Sequence, residues 1–228
     1  MKLFVLEGLD GAGKSTQIKL LKDFFEKSGQ QCEFLHFPRT DTPWFGELIA
    51  RFLRGEFGSL NDVDPYLVAM LYAGDRRDAA GEIQSWLDGG KVVLLDRYTY
   101  SNIAYQCAKI SDIKGQEKLR RWILELEFGY FAIPRPCINI FLDVPFMFTR
   151  SNLTSERDGN DRSYLNGRND IHESSLTFQE KVREIYIRVA ASESSLSVIN
   201  CSNSCGTMMP PEEIFDSITR LLKAKNLI

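Results

Sequence analysis

GLDGAGKST, residues 8–16, stands directly behind the apolar run KLFVLE at residues 2–7. The run reads as a short buried strand, and it empties into a turn rich in glycine. A residue without a Cβ takes positive φ at little cost, so such a turn lets successive backbone N–H groups converge on one point. Gly8, Gly13, Lys14 and Ser15 fill the fixed positions of G-x-x-x-x-G-K-[ST], a loop whose amides cradle nucleotide phosphates. In that pattern the lysine reaches the β- and γ-phosphates and the hydroxyl holds a magnesium ion, here Lys14 and Ser15. The following stretch TQIKLLKDFFEKSG brings Ile18, Leu20, Leu21, Phe24 and Phe25 to roughly one face of a helix, whose N-terminus adds partial positive charge at the loop. Strand, loop and helix occur in the order a working phosphate site requires.

At 228 residues and 43% hydrophobic content the chain can bury one substantial core, so a single domain over 1–228 is expected. Lys plus Arg number 28 against 31 Asp plus Glu; the net charge of -3 offers no whole-molecule attraction to nucleic acid, and none is expected as a partner. Five scattered cysteines do not form a disulfide framework and suit a reducing cytoplasm. Cys201 and Cys205 are the one close pair, and without a second pair at metal-ligand spacing they read as packing rather than zinc. No run approaches the roughly 20 apolar residues of a membrane helix. The start MKLFVLEGLDG runs straight into the phosphate loop, so cleavage of a signal peptide there would destroy the motif, and a cytoplasmic location is expected.

Further strands are expected at QCEFLHF (31–37), KVVLLDR (91–97), CINIFLDV (137–144) and LSVIN (196–200), each short and apolar enough to be covered on both faces. Helices are expected over 44–54, 64–88, 99–109, 115–128, 174–194 and 211–225. Alternation of this kind implies a parallel sheet with right-handed crossovers and ligands beyond the carboxyl ends of its strands. The polar stretch RSNLTSERDGNDRSYLNGRNDIHE, 150–173, carries Arg150, Arg157, Arg162 and Arg168 and reads as a flexible lid between apolar elements.

The strand ends carry charge. FPRT brings Arg39 to the cleft, and DRYTYSNIAYQ puts Asp96 and Arg97 side by side. A carboxylate there can hold magnesium or orient a nucleophile, and an arginine can clamp a second phosphate; an ion pair without chemistry is the other reading. In LYAGDRRDAA, Tyr72 and Arg76 share one helix face, which suits a base stacked on one side and bonded at its edge, although taken alone the first reads as core and the second as a solvated charge.

Taken together, GLDGAGKSTQ, FPRT, YAGDR and DRYTYSNIAYQ resemble the thymidylate kinase family in order and spacing over most of the chain from residue 1 to about 190. The resemblance implies a three-layer α/β/α P-loop NTPase fold with a five-stranded parallel sheet and a mobile lid. It implies transfer of the γ-phosphoryl group of ATP to thymidine 5'-monophosphate, with Mg2+ as cofactor and a homodimeric assembly. Carried over by position, Gly8, Asp10, Gly11, Ala12, Gly13, Lys14, Ser15 and Thr16 would bind ATP, and Asp10 would also contact the acceptor. Phe37 would line the acceptor side, Arg39 and Arg97 would grip its phosphate, and Tyr72 would stack on thymine. Arg76 would bond O4, Ser101 and Gln106 would face the other side of the base, and Tyr105 would crowd a ribose 2'-hydroxyl. Asp96 would act through magnesium and its water shell.

Gly11 replaces the arginine that some members carry after the loop aspartate, so positive charge on the migrating group would come from the lid, with Arg157 and Arg162 favoured over the Gly167–Arg168 neighbourhood. FPRT is one residue shorter than a common family form, and CSNSCGTMMPP at 201–211 is a longer connection than usual where adenine contacts are expected. A kinase for another nucleoside monophosphate shares the loop and lid, but the Tyr105–Gln106 pair and YAGDR fit thymidine monophosphate better. A guanine-sensing switch would need N-K-x-D after a strand, and that tetrapeptide is absent. For the dimer, the 64–88 helix offers Met70, Leu71, Ile83, Trp86 and Leu87, which could equally pack the monomer core.

Overall fold

The structure, a computed structural model, describes residues 2–149, 164–165, 170–172 and 175–228. β1 (Lys2–Gly8), β2 (Cys32–His36), β3 (Val92–Asp96), β4 (Ile138–Asp143) and β5 (Leu196–Asn200) form one all-parallel sheet in the order β2-β3-β1-β4-β5. β1 thus lies at the centre between β3 and β4, in register Leu6 to Asp96 and Gly8 to Leu142. That register brings the phosphate loop and the end of β3 to the same edge. The five expected strands are all present: β1 runs one residue further than expected, β5 keeps its expected bounds, and β2, β3 and β4 are each shorter by one residue at either end.

Alternation along β1 assigns its two faces. Phe4 and Leu6 pack with Ile18, Leu21 and Phe25 of α1 (Lys14–Lys27) and with Ile214, Ile218 and Leu222 of α7 (Pro211–Ala224). Leu3 and Val5 face the other way, against Ala79, Ala80, Ile83 and Leu87 of α3 (Pro65–Asp88). On that same side Phe141 packs with α4 (Thr99–Cys107), α5 (Ile113–Leu124) and α6 (Leu176–Ser192). Helices on both faces of a parallel sheet make the three expected layers. The buried Leu and Val side chains of the strands each contribute roughly 1.5–3 kcal/mol by leaving water.

Start signals fix the helices where the sequence puts them. Asp64 caps α3 by accepting the Tyr66 N–H with Pro65 at the first position, and Ser175 caps α6 by accepting the Phe178 N–H. The helix expected over 115–128 divides into α5 and a π-helical turn, Glu125–Tyr130, closed by the Phe131 N–H on the Leu126 carbonyl at 2.8 Å. α2 (Phe45–Leu53) lies beyond α3, its Ile49, Phe52 and Leu53 packed with Val68. Of the apolar positions offered for a dimer, Ile83 and Leu87 are core, Met70 is exposed, and Leu71 and Trp86 are half-buried.

Candidate active site

Gly11 and Gly13 adopt φ of 74° and 78°, left-handed values that bend the chain between β1 and α1. Gly13 is also the N-cap of α1, with no side-chain cap bond, so the first amides of the helix point into the loop. Lys14 folds back over the loop, its Nζ donating to the Leu9 carbonyl at 3.1 Å and lying 3.8 Å from Asp96 Oδ1. Burial and the nearby Arg97 lower its pKa, against the opposing pull of Asp96, Asp10 and Glu7. Burial alone would raise Asp96, but Lys14, His36 and Arg97 win and bring it down to about 2. It is a carboxylate at neutral pH, and its Oδ1 is buried without a hydrogen-bond partner.

Arg97 is the centre of a second group. It leaves β3 with φ of 66°, which a side chain rarely adopts, and its N–H is held by the Leu6 carbonyl at 2.8 Å. The strained backbone turns the guanidinium back over the loop. Nη2 donates to Asp10 Oδ1 at 2.5 Å and to the Tyr105 hydroxyl at 3.3 Å, while Nη1 reaches Ser101 Oγ at 3.2 Å. Tyr105 in turn donates to Asp10 Oδ2 at 2.8 Å. Burial would raise Asp10, and the charges of Arg97 and Lys14 override it, so its pKa falls well below the usual range. Beneath them lies fully buried Glu7, accepting from the Tyr98 N–H, Ser101 and Tyr186. Burial pushes its pKa up despite those bonds.

These groups open on a cavity of about 410 Å³, large enough for a small ligand. Asp10, Gly11, Ala12, Gly13, Lys14, Ser15, Phe37, Tyr72, Arg76, Asp96, Arg97, Ser101, Tyr105 and Gln106 all line it. Gly8 closes the end of β1, where an added Cβ would sit 3.2 Å from that of Ala12, and Thr16 is exposed on α1. Arg39 is turned away: Nε donates to Asp75 Oδ1 and Nη2 to Asp78 Oδ2, each at 2.8 Å. Arg157 and Arg162 lie outside the described residues, as do Arg150 and Arg168. Met208 of the 201–211 connection approaches the loop, 4.0 Å from where a Cβ on Gly13 would stand.

The far wall of the cavity carries polar groups with nothing to bond. Both amide atoms of Gln106 are buried and unpartnered, and so is Oδ1 of Asn102. Arg76, 1% exposed, gives Nε and Nη2 to Glu127 at 2.6 Å each. Burial opposes its charge, and Glu127 more than compensates, raising its pKa.

The sequence reading passed over several residues. His36 lies with Nδ1 3.3 Å from Asp96 Oδ2 and lines the cavity. His172 lines it too, ringed by Tyr105, Phe178 and Phe52, and Gln179 ties its carbonyl to Asp10 with bonds of 2.9 and 3.3 Å. Glu127 left one signal, as an acid on the buried stripe Leu119, Ile123, Glu127.

Among the described residues no group of three or more His, Cys, Asp or Glu could hold a metal ion alone. No described helix is long and apolar enough to cross a membrane. Comparison with known proteins agrees with the geometry. The thymidylate kinase family model matches residues 6–209. A probable thymidylate kinase of Thermococcus kodakarensis is 34% identical over 209 residues, 90% of this chain and 91% of that one. The thymidylate kinase of Mycobacterium tuberculosis strain H37Rv is 33% identical over 190 residues, 83% and 86% of the two chains. A solved thymidylate kinase from Candida albicans shares the fold with a TM-score of 0.72 and 22% identity, covering 99% of this chain and 92% of that one. Phosphate loop, Asp96–Arg97 strand end and a base-sized cavity between them are accounted for together, and the chain belongs to the thymidylate kinase family.

Proposed function

We propose that this protein transfers the γ-phosphoryl group of ATP to thymidine 5'-monophosphate, giving the diphosphate used to make dTTP. The observation that carries the reading is one cavity that joins the phosphate loop to the buried, unpartnered amide of Gln106. One end suits a polyphosphate and the other the hydrogen-bonding edge of a base. Lys14, the loop amides from Gly8 to Ser15 and Thr16 hold ATP. Arg97 grips the acceptor phosphate beside Asp10, and Arg39 joins it by leaving Asp75. Phe37 lines the acceptor side, Tyr72 stacks on the base, Arg76 bonds O4, Ser101 and Gln106 take the opposite side, and Tyr105 fills the space of a 2'-hydroxyl.

Phosphoryl transfer asks the protein for alignment and for positive charge on the migrating group. Arg157 and Arg162, in a lid over about 150–173, supply that charge to the γ-phosphate in this reading. Ser15 and Asp96 would hold Mg2+ from the protein side; a hydroxyl at the loop and a buried carboxylate oxygen with no hydrogen bond are the hard oxygen donors the ion takes. Bound there, the ion would neutralise charge shared between the β- and γ-phosphates. A homodimer would use exposed Leu67 and Met70 of α3, and five free thiols suit the cytoplasm.

The test is ADP release from ATP and magnesium with thymidine, deoxyuridine, cytidine, uridine, guanosine and adenosine monophosphates in turn. Strong turnover with thymidine monophosphate and weaker turnover with the deoxyuridine compound is expected. Preference for a purine or for cytidine monophosphate would refute the reading.

A further inference from the structure

Glu127 is wholly buried, yet it has four hydrogen bonds, and every donor lies in the wall of the base cavity or next to it. Arg76 Nε and Nη2 reach it at 2.6 Å, Thr99 Oγ1 at 2.8 Å and Asn102 Nδ2 at 3.0 Å. Arg76 comes from α3, Thr99 and Asn102 from α4, and Glu127 from the π-helical turn that ends the α5 segment. One carboxylate therefore ties three helical segments together behind the cavity.

The pairing also sets polarity. Asn102 Nδ2 donates a second time, to the Ala69 carbonyl at 3.0 Å, so both its hydrogens face acceptors. A flipped amide would set its oxygen against a carbonyl and a carboxylate, which is repulsive. Oδ1 is thereby fixed as the atom left over, buried and without a partner, on a residue that lines the cavity. Arg76, held by two of its nitrogens, presents only donors. The cavity lining thus includes a residue with donors to spare, Arg76, and one with a spare acceptor, Asn102, both held on the same carboxylate. A thymine edge carries the O4 acceptor beside the N3–H donor, and a cytosine edge carries the reverse, an amino donor beside the N3 acceptor.

We propose that Glu127 is a positioning residue that fixes this donor–acceptor order and so makes the acceptor site select thymine over cytosine; the proposal rests on the reading of the cavity as the acceptor site. Glu127 touches no substrate. Without its charge Arg76 loses its bidentate partner, and the Asn102 amide is free to turn either way. A site built to hydrogen-bond a base edge discriminates far more strongly than an apolar one, so loosening it costs selectivity before it costs turnover.

The experiment compares kcat/KM for thymidine and deoxycytidine monophosphates in wild type, Glu127→Gln and Thr99→Val, with the KM for ATP measured alongside. Glu127→Gln is expected to raise the KM for thymidine monophosphate ~10-fold or more, to leave the ATP KM unchanged, and to shrink the thymidine-to-deoxycytidine ratio by ~10-fold. Thr99→Val, which removes one bond and keeps the ion pair, is expected to shrink the ratio by a smaller factor, roughly 2 to 3. A general structural role would lower activity on both acceptors equally and leave the ratio alone. An unchanged ratio in folded Glu127→Gln overturns the proposal, and if that variant does not fold, an unchanged ratio in Thr99→Val does so. A wild type that prefers an acceptor other than thymidine monophosphate overturns the acceptor reading and the edge assignment with it. Wild-type thymidine preference with insensitive variants overturns the role of Glu127 alone.

Discussion

Arg97 and Asp10 meet at 2.5 Å across the central seam of the sheet, one leaving β3 and the other leaving β1. The contact joins the glycine loop after β1 to the charged end of β3, the two elements proposed to serve the two nucleotides. Since Leu6 of β1 pairs with Asp96 of β3 in the ladder, a shift of either strand would be felt at both the loop and the Asp96–Arg97 pair. Ser101 and Tyr105, in the first and second turns of α4, bond to the same guanidinium.

That geometry makes charge alone insufficient. Arg97→Lys keeps a cation but loses the planar fork that serves Asp10, Ser101 and Tyr105 at once. Steady-state kinetics should give a fall of ~10²-fold in kcat/KM for thymidine monophosphate, with the KM for ATP little altered. Near-wild-type activity would mean that position 97 contributes only charge.

Gln106 separates stability from function. Its amide is buried and makes no hydrogen bond among the described residues, which costs roughly 1–3 kcal/mol. Gln106→Met, of similar length and without the polar group, should raise the melting temperature while weakening use of thymidine monophosphate by ~10-fold or more. A variant that is both less stable and fully active would show that the amide serves packing alone.

Lys109 gives a pH signature. Its Nζ is buried without a hydrogen-bond partner, 4.7 Å from the Phe52 ring, and burial lowers its pKa from 10.5 to about 7. Between those two values the unfolded chain binds a proton that the folded chain does not, so stability contributed by the neutral amine is full above pH 10.5 and declines as pH falls toward 7. Lys109→Met should therefore stabilise the protein at pH 7, by on the order of 2 kcal/mol, and the gain should shrink toward pH 10. Melting curves across that range check it; a gain that does not vary with pH would exclude titration as its source.

Gly46 stands in α2, where alanine would ordinarily be the better helix former. Here an added Cβ would lie 2.1 Å from the Arg39 carbonyl oxygen and 2.5 Å from Thr42 Oγ1, and the backbone atom cannot swing away. Gly46→Ala is expected to destabilise by ~1–3 kcal/mol in denaturant titration, against its helix propensity. Stabilisation would mean that the 39–46 turn yields easily.

The architecture was legible because its signals are local. Apolar strands of five to seven residues, a glycine loop at the mouth of the first and helical stretches between them prescribe a parallel sheet without reference to distant residues. Most of the loop and α4 site residues were legible for the same reason: DRYTYSNIAYQ places Asp96, Arg97, Ser101, Tyr105 and Gln106 within eleven consecutive residues. What escaped is made of pairs far apart in the chain. Glu127 serves Arg76 51 positions away, Gln179 reaches Asp10 across 169, and Glu7 reads as one more position of a buried strand. The widened turn at Glu125–Tyr130 has no periodic signature, so an α-helix is expected into it as far as residue 128. Arg39 shows the converse: its place in FPRT was plain, while the choice between phosphate and Asp75 depends on an acid 36 residues on.

The ion pairs of the cleft also bear on what it ignores. Lys14 faces Asp96, Arg97 faces Asp10, Arg39 faces Asp75 and Arg76 faces Glu127. Among the described residues, an anion that engages one of these four cations must therefore displace its carboxylate, and it gains only the difference between the two attractions. Inorganic phosphate or sulfate, engaging one arginine at a time, gains little from that exchange, and its hold is left to the loop amides. A nucleotide that engages the loop, an arginine and the base wall together can complete it, so the paired arginines of this pocket should be chemically quiet toward the simple anions of its surroundings.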